Sequence, residues 1–221
     1  MPAHQHLGGD ARQRRDAEAG LDQVHHRRDR RDGVQPRRLQ AVGAYELPPD
    51  LGRILDERAF FIDLLGFKLS DSTEMMEFIR CSADHHSIAL SRAEGPSLNH
   101  MAYEMANMDG LMRGAGRLKQ SGFNVEWGVG RHGPGDNVFT YFVEPNGFVT
   151  EYTAEIQQID ESDYEPHEAK YWTNFPQRPC RWGFAGHPSN RLRAAFGGDL
   201  SVADPADGKR CEEIMAQTLG R

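Results

Sequence analysis

The sequence predicts an α+β fold, a single domain over residues 41–155 made of two βαβββ modules in tandem, and three observations predict it. The order strand, helix, strand, strand, strand is spelled out twice by apolar periodicity. The helix stop Leu65-Gly66-Phe67 is echoed by Ser121-Gly122-Phe123. Composition also changes twice, near Ala41 and after Glu155, which sets off a 1–40 segment and a 156–221 segment.

Residues 1–40 hold few larger apolar side chains and no aromatic, Ile or Lys, and HHRRDRRDG at His25–Gly33 is typical of them. Such a stretch buries too little to offset its ordering entropy, so it is expected to be disordered. It also reads as a non-native segment, such as out-of-frame translation of GC-rich DNA gives. Ala41–Leu47 then suits a strand, Pro48-Pro49-Asp50 ends it, and Asp50 caps a helix over Leu51–Leu65 with Gly66 as its stop. Leu51, Ile54, Leu55, Phe60, Phe61 and Leu64 or Leu65 form its apolar stripe. Phe67–Ser70, Met75–Cys81 and Ser87–Ser91 complete the first module.

The second module opens with a strand at Leu98–Met105 and a helix at Met108–Gln120, with Leu111, Met112, Ala115 and Leu118 on one face. Strands at Phe123–Trp127, Asn137–Val143 and Phe148–Thr153 follow, the last two joined by the turn Glu144-Pro145-Asn146-Gly147. After Glu155 the chain is polar and then rich in Trp, Phe and Pro. Residues 156–221 are therefore expected to form an irregular cover over the domain, with a short helix around Glu212–Leu219.

Net charge is −7 and the basic residues do not cluster on one face, which argues against a nucleic-acid partner. No apolar run reaches the roughly 20 residues of a membrane span, and the N-terminus has no signal-peptide core. Three scattered cysteines, Cys81, Cys180 and Cys211, fit a reducing compartment, and the expected location is cytoplasmic.

Chemistry gathers between Leu98 and Ala154. His100 lies in a strand, where a histidine is as readily a core residue as a ligand. Glu151 sits among Phe148, Val149 and Tyr152, and a buried carboxylate there needs a cation or donors beside it. Together they make part of the two-His, one-carboxylate set that holds iron or another mid-series divalent metal. The loop Gly128–Asn137 presents Arg131, His132 and Asp136 from a glycine-rich backbone, and Tyr141 falls within about one residue of lying opposite Glu151. His85-His86 precedes a strand, and alternation sends at most one of the pair toward a site. Trp127, Phe139 and Phe148 are candidates for pocket lining or for core.

In that order and spacing, DHHSIAL, LNHMAYEM, WGVGRHGPGDNVFTYF and PNGFVTEYTAE resemble the type I extradiol ring-cleavage dioxygenases of the vicinal oxygen chelate superfamily. The resemblance implies an incomplete barrel of paired βαβββ modules around Fe(II), in a homo-oligomer that takes a catechol and O2. It implies that His100 and Glu151 are iron ligands, that His86 is the acid/base histidine, and that His132 and Tyr141 hold the substrate oxygens. Asp136 falls one residue away from a family aspartate in the same loop. The pattern is broken at the opening strand: the first iron histidine belongs on Ala41–Leu47, which has none, and only Glu46 or Tyr45 offers a donor there. A second reading is therefore an inactive or truncated member that keeps the fold and at most binds a ligand or a partner subunit.

Overall fold

A computed structural model of the chain describes residues 38–40, 46–47, 57–93, 97–175 and 180–219. Among the described residues nine strands form two sheets: β1 (Arg38–Gln40), β2 (Glu46–Leu47), β3 (Lys68–Ser72), β4 (Met76–Arg80), β5 (Ile88–Arg92), β6 (Met101–Glu104), β7 (Trp127–Arg131), β8 (Val138–Val143) and β9 (Val149–Ala154). The first sheet has the order β2-β5-β4-β3 and the second β1-β6-β9-β8-β7, and neither closes into a barrel.

The duplication is written into the pairing. In each module the opening strand returns to lie parallel to the last one, β2 beside β5 and β6 beside β9, while the other pairs are antiparallel. β1 adds to the edge of β6. It lies in the last three residues of the segment expected to be disordered, and pairing there uses main-chain groups, which residue composition does not report. The rest of that expectation, with Ala41–Tyr45 and the first part of the Leu51–Leu65 helix, lies outside the described residues.

Residues 57–64 are helical, and Phe60–Leu64 form a π-helical turn. Its wider spacing, Leu65 N–H to Phe60 O at 3.1 Å, slips the phase of the expected stripe. Phe60, Leu64 and Leu65 consequently face outward.

Helix α1 (Met108–Gln120) has the bounds its periodicity predicts. Asn107 caps it by accepting from Gly110 N–H at 2.8 Å, and Phe123 N–H closes the far end on Leu118 O at 2.9 Å across left-handed Gly122. Leu111 and Ala115 face the sheet, and α1 packs on β8 and β9, where a Cβ on Gly114 would meet the Tyr152 ring at 2.9 Å. With α1 on one face and the C-terminal segment on the other, all six residues of β8 are buried.

That C-terminal segment is more regular than expected: α2 (Ala169–Thr173), α3 (Asn190–Phe196) and α4 (Pro205–Leu219) are helices, and α4 begins well ahead of the expected Glu212. Leu192 and Ala195 of α3 complete a core with Phe139, Tyr141, Val143 and Val149. A smaller cluster, Phe78, Ala89 and Ala102, joins β4 and β5 to β6, so the inner faces of the two sheets meet. No helix among the described residues is long and apolar enough to cross a membrane.

Candidate active site

β8 and β9 pair so that Tyr141 stands directly opposite Glu151, with Phe139 against Thr153 and Val143 against Val149 on the same face. This face packs against the C-terminal segment and, at Ala102 of β6, meets Phe78 and Ala89 of the first sheet, and Glu151 is buried in it. His100 immediately precedes β6, whose Ala102 pairs with Glu151, so the neighbouring strand brings the imidazole to the carboxylate. His100 Nδ1–H donates to Asn99 Oδ1 at 2.7 Å, which leaves Nε2 as the acceptor nitrogen. That atom is buried without a hydrogen-bond partner and lies 3.2 Å from Glu151 Oε2.

Two electron-rich atoms held this close call for a cation between them. Two donors bound to one ion at about 2.1 Å, roughly at right angles, stand about 3 Å apart. His100 and Glu151 therefore fit a divalent metal as two of its ligands. Among the described residues no group of three or more His, Cys, Asp and Glu could hold a metal ion.

The glycine-rich stretch is only half loop. Trp127–Arg131 is strand β7, paired with β8 through a bulge between Gly128 and Gly130. Its glycines, which read as loop signals, are close-approach positions: a Cβ on Gly130 would sit 2.6 Å from Phe139 and 2.9 Å from Cys180 Sγ. The remaining loop is shut by His132 N–H on Asn137 O at 2.9 Å. It places His132 against Phe139, rings stacked at 3.9 Å, with Nε2 at 3.0 Å from the Tyr141 hydroxyl and 3.8 Å from Glu151 Oε1.

Burial lowers His132 to about 4 despite the opposing pull of Glu151, so its ring is neutral at physiological pH. Burial and the Glu151 charge raise Tyr141 well above its ordinary value and keep it a phenol. Asp136 does not reach the site. It has left-handed backbone and is ion-paired with Arg131 and Arg181, which staples the loop to the C-terminal cover.

His86 comes from the first module. Burial, then the nearby His85, His132 and His100, hold it well below its ordinary value, so this ring too is neutral. Both members of the histidine pair are buried, but only His86 lines the cavity; His85 lies behind it, Nδ1 to Nδ1 at 2.9 Å.

His86, His100, His132, Tyr141 and Glu151 thus share one cavity of about 560 Å³. Met76, Phe78, Trp127, Trp172, Phe175 and Phe196 give it apolar walls, three of them from the C-terminal cover. Of the aromatic candidates for pocket lining or for core, Trp127 lines the cavity, Phe139 is core, and Phe148 is neither, being exposed. Residue patterns did not single out Asn99, which orients His100, or Asn137, whose Nδ2 donates to Thr153 Oγ1 at 2.7 Å and approaches Glu151 at 3.4 Å. The spacing of either to its partner across the sheet exists only once the register is set.

A family model for the Glyoxalase/Bleomycin resistance protein/Dioxygenase superfamily matches residues 56–152. Metapyrocatechase 2 of Cupriavidus necator is 36% identical over 129 residues, 57% of this chain and 39% of that protein. The 2,2',3-trihydroxybiphenyl dioxygenase of Sphingomonas paucimobilis is 29% identical over 138 residues, 57% of this chain and 44% of that protein. The chain spans less than half the length of these curated relatives. Among solved structures, the Mn(II)-bound glyoxalase from Novosphingobium aromaticivorans is 38% identical, with a TM-score of 0.61, and the match covers 73% of this chain and 52% of that one.

Proposed function

We propose, from the match of residues 56–152 to the Glyoxalase/Bleomycin resistance protein/Dioxygenase superfamily, that the chain is a member of it and carries the site of an Fe(II)-dependent extradiol dioxygenase, which opens a catechol-type ring with O2. The observation that carries this reading is the convergence of His86, His132 and Tyr141 on the His100–Glu151 pair within one apolar cavity. His100 and Glu151 would hold the metal, which when bound supplies the means of passing electron density from the diol to O2.

The other residues act on the substrate. Apolar walls take the ring, while Tyr141 Oη and His132 Nε2, 3.0 Å apart, are spaced to hydrogen-bond adjacent diol oxygens. Neutral His86 takes the proton that the diol gives up and stabilises charge developing on oxygen. The ring C–C bond next to the diol and the O–O bond break, both oxygen atoms enter the product, and no further reductant is consumed. The product is of the 2-hydroxymuconic semialdehyde type. The reading carries with it a homo-oligomer, an expectation that rests on the resemblance, and a cytoplasmic location, which rests on the scattered cysteines.

A glyoxalase-type isomerisation is the second reading, favoured by the name of the Mn(II)-bound neighbour. That reaction has no need of a diol-binding Tyr141–His132 pair. Anaerobic loading with Fe(II) or, in parallel, Mn(II), followed by catechol in air, separates the two. About one metal per chain and a yellow ring-opened product are expected with Fe(II), and Glu151→Gln is expected to lose most of the metal. Metal uptake without any ring-opened product would sink the dioxygenase reading.

A further inference from the structure

Behind His86 lies a buried chain of polar groups that the proposed reaction does not itself touch. His85 Nδ1 is 2.9 Å from His86 Nδ1, and His85 Nε2 is 3.0 Å from Asp71 Oδ2. Asp71 and His85 are almost entirely inaccessible. A bulge in β3 between Leu69 and Asp71 aims this carboxylate inward. Its second oxygen, Oδ1, accepts from His167 N–H at 2.7 Å and from the Tyr164 hydroxyl at 3.0 Å, with His167 Nδ1 at 3.1 Å. Burial works against ionisation of Asp71, but the hydrogen bonds from His85, His167 and Tyr164 outweigh it and lower the group below its ordinary value.

The direction of each bond follows from this. A carboxylate only accepts, so His85 donates to Asp71 from Nε2, and a ring that carries this one proton leaves its Nδ1 bare. His86 must then donate from Nδ1. Its own Nε2 is left with a free lone pair on a ring that lines the cavity, and His86 has no other hydrogen-bond partner among the described residues.

The geometry points to Asp71 and His85 as positioning residues that fix His86 in the tautomer with a bare Nε2, the form able to take a proton from a bound diol. Tyr164 and His167 are part of the device, because they settle which Asp71 oxygen faces His85. This inference rests on the dioxygenase reading for its chemical purpose but not for its structure.

Asp71→Asn tests it sharply. The main-chain N–H of His167 can only donate, so the new amide keeps its oxygen at the Oδ1 position and turns its NH2 toward His85 Nε2. That nitrogen becomes an acceptor, His85 donates from Nδ1, and His86 is left protonated on Nε2. Long-range 1H–15N spectra of the full chain at pH 8, labelled with 15N-histidine, read this directly, with the His86 signals assigned by their loss in His86→Gln.

In the unsubstituted chain the pyridine-type resonance is expected on His86 Nε2, and in Asp71→Asn on Nδ1. Loaded enzyme should lose about 10²-fold or more in kcat with KM changed little, and Asp71→Glu should restore the original tautomer. An unsubstituted chain with His86 protonated on Nε2 overturns the proposal, even if Asp71→Asn fails to fold, and so does a tautomer that Asp71→Asn leaves unmoved. Because the spectra need no turnover, absence of ring cleavage with the expected tautomers would count against the dioxygenase reading alone.

Discussion

At the scale of single residues, the site depends on rings that stay neutral where water would let them charge. His132 and His86 both titrate below the ordinary histidine value when folded. Their contribution to stability is therefore complete above about pH 6.5 and is lost as pH falls from there, through about 4 for His132. For His132 the shift corresponds to about 3 kcal/mol at most, since 21% of its side chain still meets solvent. Urea titrations of the metal-free chain at pH 7.5 and pH 5 should show the midpoint falling, and His132→Phe should flatten that fall; an unchanged pH dependence in the variant would remove His132 as its cause.

Much of this residue-level picture was legible in the sequence. The turn at Glu144–Gly147 put Tyr141 within a residue of Glu151, and the two are paired. Asp71 was not legible, because its role depends on a bulge that no period-2 pattern encodes and on partners more than 90 positions away.

Elements differ in how much of their stability is local. α1 carries its own start and stop signals, and its sequence bounds and observed bounds coincide. Asn107→Ala removes the bond to Gly110 N–H and should cost about 1 kcal/mol, read as a lower thermal midpoint with the site chemistry unchanged. An effect on metal content as large as that on stability would mean that α1 positions the site rather than merely backing it.

β7 is the opposite case. Nothing local marks Gly128-Val129-Gly130-Arg131 as a strand, since two glycines in four residues signal a loop. The glycines are needed because Phe139 lies beneath Gly130 and Cys180 and Ala185 press on it from the cover. Such contacts are decided by tertiary packing, so the sequence reading placed the strand too early and the loop too long. The Phe60–Leu64 turn went astray for a related reason, as one wider turn displaces an entire apolar stripe.

For the whole molecule, the paired modules were legible because each repeats one pattern of periodicities, and the order β2-β5-β4-β3 recurs as β6-β9-β8-β7. The C-terminal cover was legible only as a composition. Its helix α3 spans seven residues, too short for a period to declare itself, yet Leu192 is wholly buried and Phe196 forms part of the cavity wall. Leu192→Ala should cost about 2–5 kcal/mol in chemical denaturation, and should also weaken catechol binding through Phe196. A variant as stable as the parent would mean that the cover is not part of the core.

The grip of Tyr164 and His167 on Asp71 also bears on the order in which the protein can be finished. Asp71 and the histidine pair leave the ribosome long before those two residues do, and every strand of both sheets has been made by Ala154. A nascent chain halted just past Ala154 already has His86, His100, His132, Tyr141 and Glu151, yet lacks the groups that hold the Asp71 carboxylate in place. The proton on His86 is thus settled late, by two residues that are not themselves part of the cavity wall.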